Sequence, residues 1–111
     1  MSRDRLIKEP PALTPAVFHI LLALADGPLH GYAIMQAVEV SSGSDMGPGT
    51  VYGSLQRMED AGLVKEVAAT DDRRRVFALQ PAGRRALVQE AERLAKLAAL
   101  VRAKRLVRGE V

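Results

Sequence analysis

The spacing of apolar positions changes character several times along the chain, and each change predicts an element. The run VFHILLALA, from Val17, is apolar nearly all round, which predicts a helix buried on most sides. Thr14-Pro15 opens it with a hydroxyl suited to capping the first turn, followed by Pro at the first helical position, where its missing N–H costs nothing. Asp26-Gly27-Pro28 ends it, and Leu29 reads as a short extended link. A second helix is expected from His30 or Gly31 through YAIMQAVEV, with Tyr32, Met35 or Ile34, and Val38 as its core stripe. Ser41-Ser42-Gly43-Ser44-Asp45 reads as a loop by composition.

The stretch MGPGTVYGSLQRMEDAGLV, from Met46, predicts a third helix. Pro48 sits in its first turn, Val51, Leu55 and Met58 recur at i, i+4 and i+7, and Gly62 supplies a left-handed stop. Its other side carries Thr50, Gly53, Ser54 and Arg57, small and hydrogen-bonding apart from the one Arg. After Leu63 the period drops to two. LVKEVAAT and RRRVFALQ predict two short strands around a charged turn at Asp71-Asp72. Pro81 opens a last helix, expected to reach about Arg108, in which Leu87, Ala91, Leu94, Ala98 and Val101 are spaced 4, 3, 4, 3, with Leu97 and Leu100 widening the apolar face. A helix of that length on so small a domain lacks partners in its own chain, so a second copy is expected to cover it.

Three helices, a hairpin and a long helix make a mainly α fold with a small β-hairpin. The arrangement is a winged helix-turn-helix followed by a C-terminal dimerisation helix. The expected division is a flexible arm over 1–12, the winged helix-turn-helix over 13–80, the dimerisation helix over 81–108 and a tail over 109–111.

Composition narrows the chemistry. One hundred and eleven residues allow one domain with a single core. The absence of Cys excludes disulfides and thiolate metal sites, and two His are too few for a His-rich one. The N-terminal MSRDRLIKEPP mixes acids with bases and has no apolar region, so it is not read as a secretory signal, and a cytoplasmic location is expected. The net charge of +3 is unevenly spread: five basic and ten acidic side chains up to residue 72, eleven basic and three acidic from residue 73 on. Such asymmetry suits one surface to a polyanion, or simply solvates the last helix.

GPGTVYG has neither the Lys nor the spacing of a nucleotide-phosphate loop, so its glycines read as groove clearance and permissive helix entry. Small residues at the start of the third helix let its backbone approach the floor of the major groove. Thr50 and Ser54 are suited to phosphates or base edges, and Arg57 to guanine or phosphate. Arg73, Arg74 and Arg75 stand at or beside the hairpin tip, where alternation along a strand lets two of the three face one DNA backbone. No nucleophile, base and oxyanion site assembles at a recognisable spacing, so neither an enzyme nor a cofactor is expected. His30 reads as a helix-start hydrogen-bonding residue and His19 as a satisfied core or interface residue.

HGYAIMQAV, GPGTVYGSLQRMEDAGLV and RRRVFALQPAGRRAL, in this order, resemble the PadR family of bacterial transcriptional regulators over roughly residues 14–90. The resemblance implies a homodimeric winged helix-turn-helix protein, usually a repressor of a double-stranded DNA operator, often released by a small aromatic or drug-like effector. It places His30, Gly31 and Tyr32 at the start of the second helix, Gly49, Thr50 and Tyr52 on the recognition helix, and Arg75 in the wing. The chain departs from the family pattern at Gly47, at Gly53, at Val76-Phe77 and at Gln80, where Thr is usual before Pro81. The expected DNA-binding set is therefore Tyr32, Gly49, Thr50, Tyr52, Gly53, Ser54, Arg57, Arg73, Arg74 and Arg75. The expected dimer seam is Leu87, Ala91, Leu94, Leu97, Ala98 and Val101. The alternative is a winged-helix module for protein–protein contact, which would lack the steep salt dependence of a phosphate-binding surface.

Overall fold

The computed structural model describes residues 13–44, 46–68 and 74–108. Helix α1 (Pro15–Ala23) starts as its sequence dictates: the Val17 N–H donates to the Thr14 hydroxyl at 3.2 Å, and Pro15 occupies the first turn. Leu29–His30 forms a two-residue strand, β1, followed at once by α2 (Gly31–Ser42) and α3 (Gly47–Asp60). Strands β2 (Val64–Val67) and β3 (Val76–Leu79) and the long helix α4 (Pro81–Ala103) complete the order.

The expected hairpin is present, but the sheet has a third strand. Its order is β1-β3-β2, antiparallel throughout, with Leu29 opposite Phe77 and Val64 opposite Leu79. Leu29 was expected to be only a link. A two-residue strand gives no alternation to read, and its pairing is fixed by β3 across a long sequence separation. The expected turn at Asp71-Asp72, the arm over 1–12 and the tail over 109–111 lie outside the described residues.

All four helices and the sheet share one core of Ile20, Leu21, Leu24, Ile34, Val38, Val51, Leu55, Met58, Val64, Phe77 and Leu87. In α2 the stripe is Ile34 and Val38, while Tyr32 is 62% exposed and does not belong to it. The serine-rich segment is also partly helical: α2 runs through Ser42, and Gly43 at φ 70° ends it. The Ser41 hydroxyl sits 2.7 Å from His19 Nδ1 on α1, which ties the last turn of α2 to the neighbouring helix at the surface. His19 is accordingly satisfied.

Helix α3 stops where Gly62 was expected to stop it. Gly62 adopts φ 79°, its N–H reaches the Glu59 carbonyl, and the Leu63 N–H reaches the Met58 carbonyl, which is the paired bonding of a Schellman terminus. Helix α4 stops the same way five residues short of Arg108. Arg105 takes φ 59° and the Leu106 N–H bonds the Val101 carbonyl, so a left-handed cap forms without Gly. Gly83 at the start of α4 is required by space, since a Cβ there would overlap the Leu63 carbonyl oxygen. That close approach seats α4 on the domain and buries Leu87, at 5% exposure, in the core rather than on the outward seam where it was expected. Beyond it Ala91, Leu94, Leu97 and Val101 are exposed and Ala98 is half-buried.

Candidate nucleic-acid interface

The 3.6-residue period divides α3 into two halves. Val51, Ser54, Leu55 and Met58 are buried and turn inward. Gly49, Thr50, Gln56 and Arg57 are exposed, and Gly53 lies between them on the outward half. Ser54 was expected among the outward residues, but at 1% exposure it does not reach an external duplex. Its position, next to Leu55 and one turn before Met58, puts it on the core side. A small hydroxyl is tolerated there because it has a partner: Arg57 Nη2 donates to the Ser54 Oγ at 3.2 Å. The Arg57 side chain folds back over Gly53, with Nη1 3.6 Å from where a Cβ of Gly53 would stand. Gly53 thus gives Arg57 a bed as well as clearance. Sequence reading missed Gln56, which is exposed at the middle of the outward half and donates to Asp60 at 3.2 Å. Its signal was present: it stands three residues after Gly53 and seven after Gly49.

Tyr52 borders the outward half on the side of α2. Its phenol lies across Gly31, where any Cβ would overlap the hydroxyl, so the glycine of the HGY motif is a seat for the recognition helix. His30 caps α2 as its position suggests, its Nδ1 accepting from the Ala33 N–H at 3.3 Å. The same ring places Nε2 3.1 Å from Arg74 Nη1. A neutral imidazole has one acceptor nitrogen, so capping the helix and accepting from Arg74 require different tautomers.

His30, Gly31, Tyr32, Tyr52, Arg74 and Arg75 line one open depression of about 330 Å³. Two guanidinium side chains, two phenols and the N-terminal end of α2 converge there, a set of donors and positive charge suited to an oxyanion such as a backbone phosphate. Arg75 is tied inside the protein. Glu66 stands opposite Phe77 in the β2–β3 register, and Arg75, two residues before Phe77, is its diagonal neighbour on that face. Nε and Nη2 of Arg75 both donate to Glu66 Oε1, at 3.2 and 3.0 Å, and the guanidinium lies 5.1 Å from the Phe77 ring centroid. The Glu66 hydrogen bond, aided by the charges of Glu66 and Glu59, raises the Arg75 pKa above its ordinary value against the opposing effect of burial. The Glu66 N–H on the outer strand in turn donates to Glu59 Oε2 on α3 at 3.2 Å, tying the wing to the recognition helix. Arg73 lies outside the described residues.

The model of the transcriptional regulator PadR-like family matches residues 20–89, from α1 into α4. The chain belongs to the PadR family. Its matched span carries the recognition helix, the wing and the depression between them. A PadR family transcription regulator from hypervirulent Clostridium difficile superposes with a TM-score of 0.68 at 21% identity, covering 81% of this chain and 97% of that one, which shows the shared fold. Among relatives, the transcriptional regulator Rv3488 of Mycobacterium tuberculosis is 42% identical over 82 residues, 72% of this chain and 76% of that protein. An uncharacterized 37.1 kDa protein in transposon TN4556 of Streptomyces fradiae is 50% identical over 82 residues, 74% of this chain. The chain spans about a quarter (24%) of that relative's length. The chain therefore belongs to a family of transcriptional regulators. No described helix is long and apolar enough to cross a membrane.

Proposed function

We propose that the chain is a homodimeric, sequence-specific repressor in which the outward half of α3 reads base edges and the depression beside it grips the flanking phosphate. The observation that carries this reading is the adjacency of two chemistries. A helix surface of Gly49, Thr50, Gly53, Gln56 and Arg57 offers little bulk and several hydrogen-bonding groups, as entry to the major groove demands. Next to it Tyr32, Tyr52, Arg74 and Arg75 supply the sequence-independent contact that fixes register. Arg73 belongs to the same wing in this reading, and Ser54 serves it from inside by holding Arg57.

The dimer is proposed from the distal half of α4. Leu94, Leu97, Leu100 and Val101 are all exposed on that helix, Leu100 at 57%, with Ala91 and Ala98 between them. A second copy of the same stripe covers it with the alternating large and small residues that helix pairing favours. In this division residues 13–80 bind DNA and residues 81–108 pair subunits, in the cytoplasm.

Selection of bound fragments from a random DNA pool tests the reading. The expected product is a two-fold symmetric site, bound with an affinity that falls steeply with salt. Thr50→Ala and Arg57→Ala are expected to change the selected bases, whereas Arg73→Ala with Arg74→Ala weakens all sequences alike. Negligible binding at low salt overturns the proposal. Repeating the titration with small aromatic acids tests effector release, which the family resemblance implies.

A further inference from the structure

The three described cations of the proposed interface are held by unlike partners. Arg57 donates to the neutral hydroxyl of Ser54, and Arg74 faces the ring of His30. Arg75 is ion-paired to Glu66 at 3.0 Å, with the pair about half exposed (51% and 40%). The wing therefore brings a carboxylate to the very surface that would meet a polyanion. We propose that Glu66 sets the strength of the sequence-independent grip on DNA, by competing with a backbone phosphate for the Arg75 guanidinium. This rests on the DNA reading above and adds a residue to it that reads no base.

The geometry makes the competition direct. Both Arg75 donors that Glu66 engages, Nε and Nη2, form the edge with which an arginine grips a phosphate bidentately. Glu66 is fixed in place by two restraints. The β2–β3 register sets it diagonal to Arg75, and its own N–H is bonded to the Glu59 carboxylate. A phosphate arriving in the depression must either displace Glu66 from Arg75 or bind beside a neutralised cation. In both cases fewer counterions are released than the number of wing arginines suggests. Because the contact is with the backbone, its weakening applies equally to operator and random DNA.

The test is the Glu66→Gln protein, which keeps a carbonyl oxygen for Arg75 but removes the charge, at an exposed site where folding is checked by a thermal melt. Exposed ion pairs are weak, so the expected gain is about two- to fivefold in affinity. That gain is the same for the selected operator and for random duplex, and the slope of log affinity against log salt steepens by roughly 0.9 per freed phosphate contact. Glu92→Gln, on α4, removes the same charge away from the wing and is expected to give a smaller gain with no change of slope. In an Arg75→Gln background the Glu66→Gln gain is expected to vanish. A Glu66→Gln protein that binds no tighter than the parent, matches Glu92→Gln, gains on one sequence only, or keeps its gain without Arg75 overturns the proposal. If the parent protein itself binds no DNA at low salt, the functional reading fails first, and the failure is visible without any variant.

Discussion

Helix α1 and the distal half of α4 are both rich in apolar residues, yet they meet opposite fates. In α1 Ile20 and Leu21 are completely buried, with Leu24 just beyond its end, packed against α2, α3 and α4. In α4 everything past Leu87 except Glu90 and Ala98 is exposed, including four large aliphatic side chains between Leu94 and Val101. The difference is one of available neighbours. Gly83 locks the start of α4 onto Leu63 and β3, and from there the helix axis carries the remaining turns away from the domain at about 1.5 Å per residue. Hydrophobicity alone does not tell a core from an interface. A stripe that outruns its own chain keeps its apolar face but lacks the neighbours that would make it core.

If this contrast is right, the two helices respond differently to damage. The largest effect is expected from Leu21→Ala, which opens a cavity in the shared core and costs about 2–5 kcal/mol by urea denaturation. A loss under 1 kcal/mol would mean that α1 is not the centre of the fold. Leu94→Glu places a charge on the exposed stripe instead. It is expected to leave the helical signal intact, to give monomers by sedimentation, and to weaken operator binding by about 100-fold, equivalent to about 2.7 kcal/mol. A dimer that survives the substitution would put the subunit contact elsewhere.

The contrast also shows what the sequence makes legible. The existence of every helix was readable from its apolar positions, and the end of α3 from Gly62, whereas the ends of α2 and α4 were not. The wing was readable from its period-two alternation. Three features were not. Strand β1 has only two residues and is created by its partner. Ser54 is small and polar, so its type suggested a surface; only the helical phase, one step off Leu55, places it inside. Leu87 continues the spacing of the seam without a break, and what separates it from Leu94 is where the domain ends, a fact of tertiary structure. Within the candidate site, the residue types were legible, but the Glu66–Arg75 pair was not. It depends on the register between β2 and β3 rather than on spacing along the chain.

The smallest expected effect concerns how the two helices begin. Thr14-Pro15 and Gln80-Pro81 place an extended residue before a first-turn Pro in the same way and differ in the side chain at the capping position. Both capping positions are extended, at φ −69°, ψ 157° and φ −92°, ψ 163°, and Pro sits in the first turn of each helix. Thr14 accepts a hydrogen bond from the Val17 N–H, whereas Gln80 makes no side-chain cap. Gln80→Thr is therefore expected to bring a short hydroxyl acceptor within reach of the N–H of Gly83, three residues on, raising stability by about 0.5–1 kcal/mol, while Thr14→Ala lowers it by about 1 kcal/mol. The Gln80 backbone N–H already bonds the Leu63 carbonyl at 2.9 Å, so the position is held and the shorter side chain needs no rearrangement to reach. Equal and opposite shifts in the urea midpoint of the two variants would show that the ends of α1 and α4 are governed locally. A destabilised Gln80→Thr protein would show that the tight seat of Gly83 against Leu63 leaves no room for the cap, and that α4 is fixed by packing from its first turn.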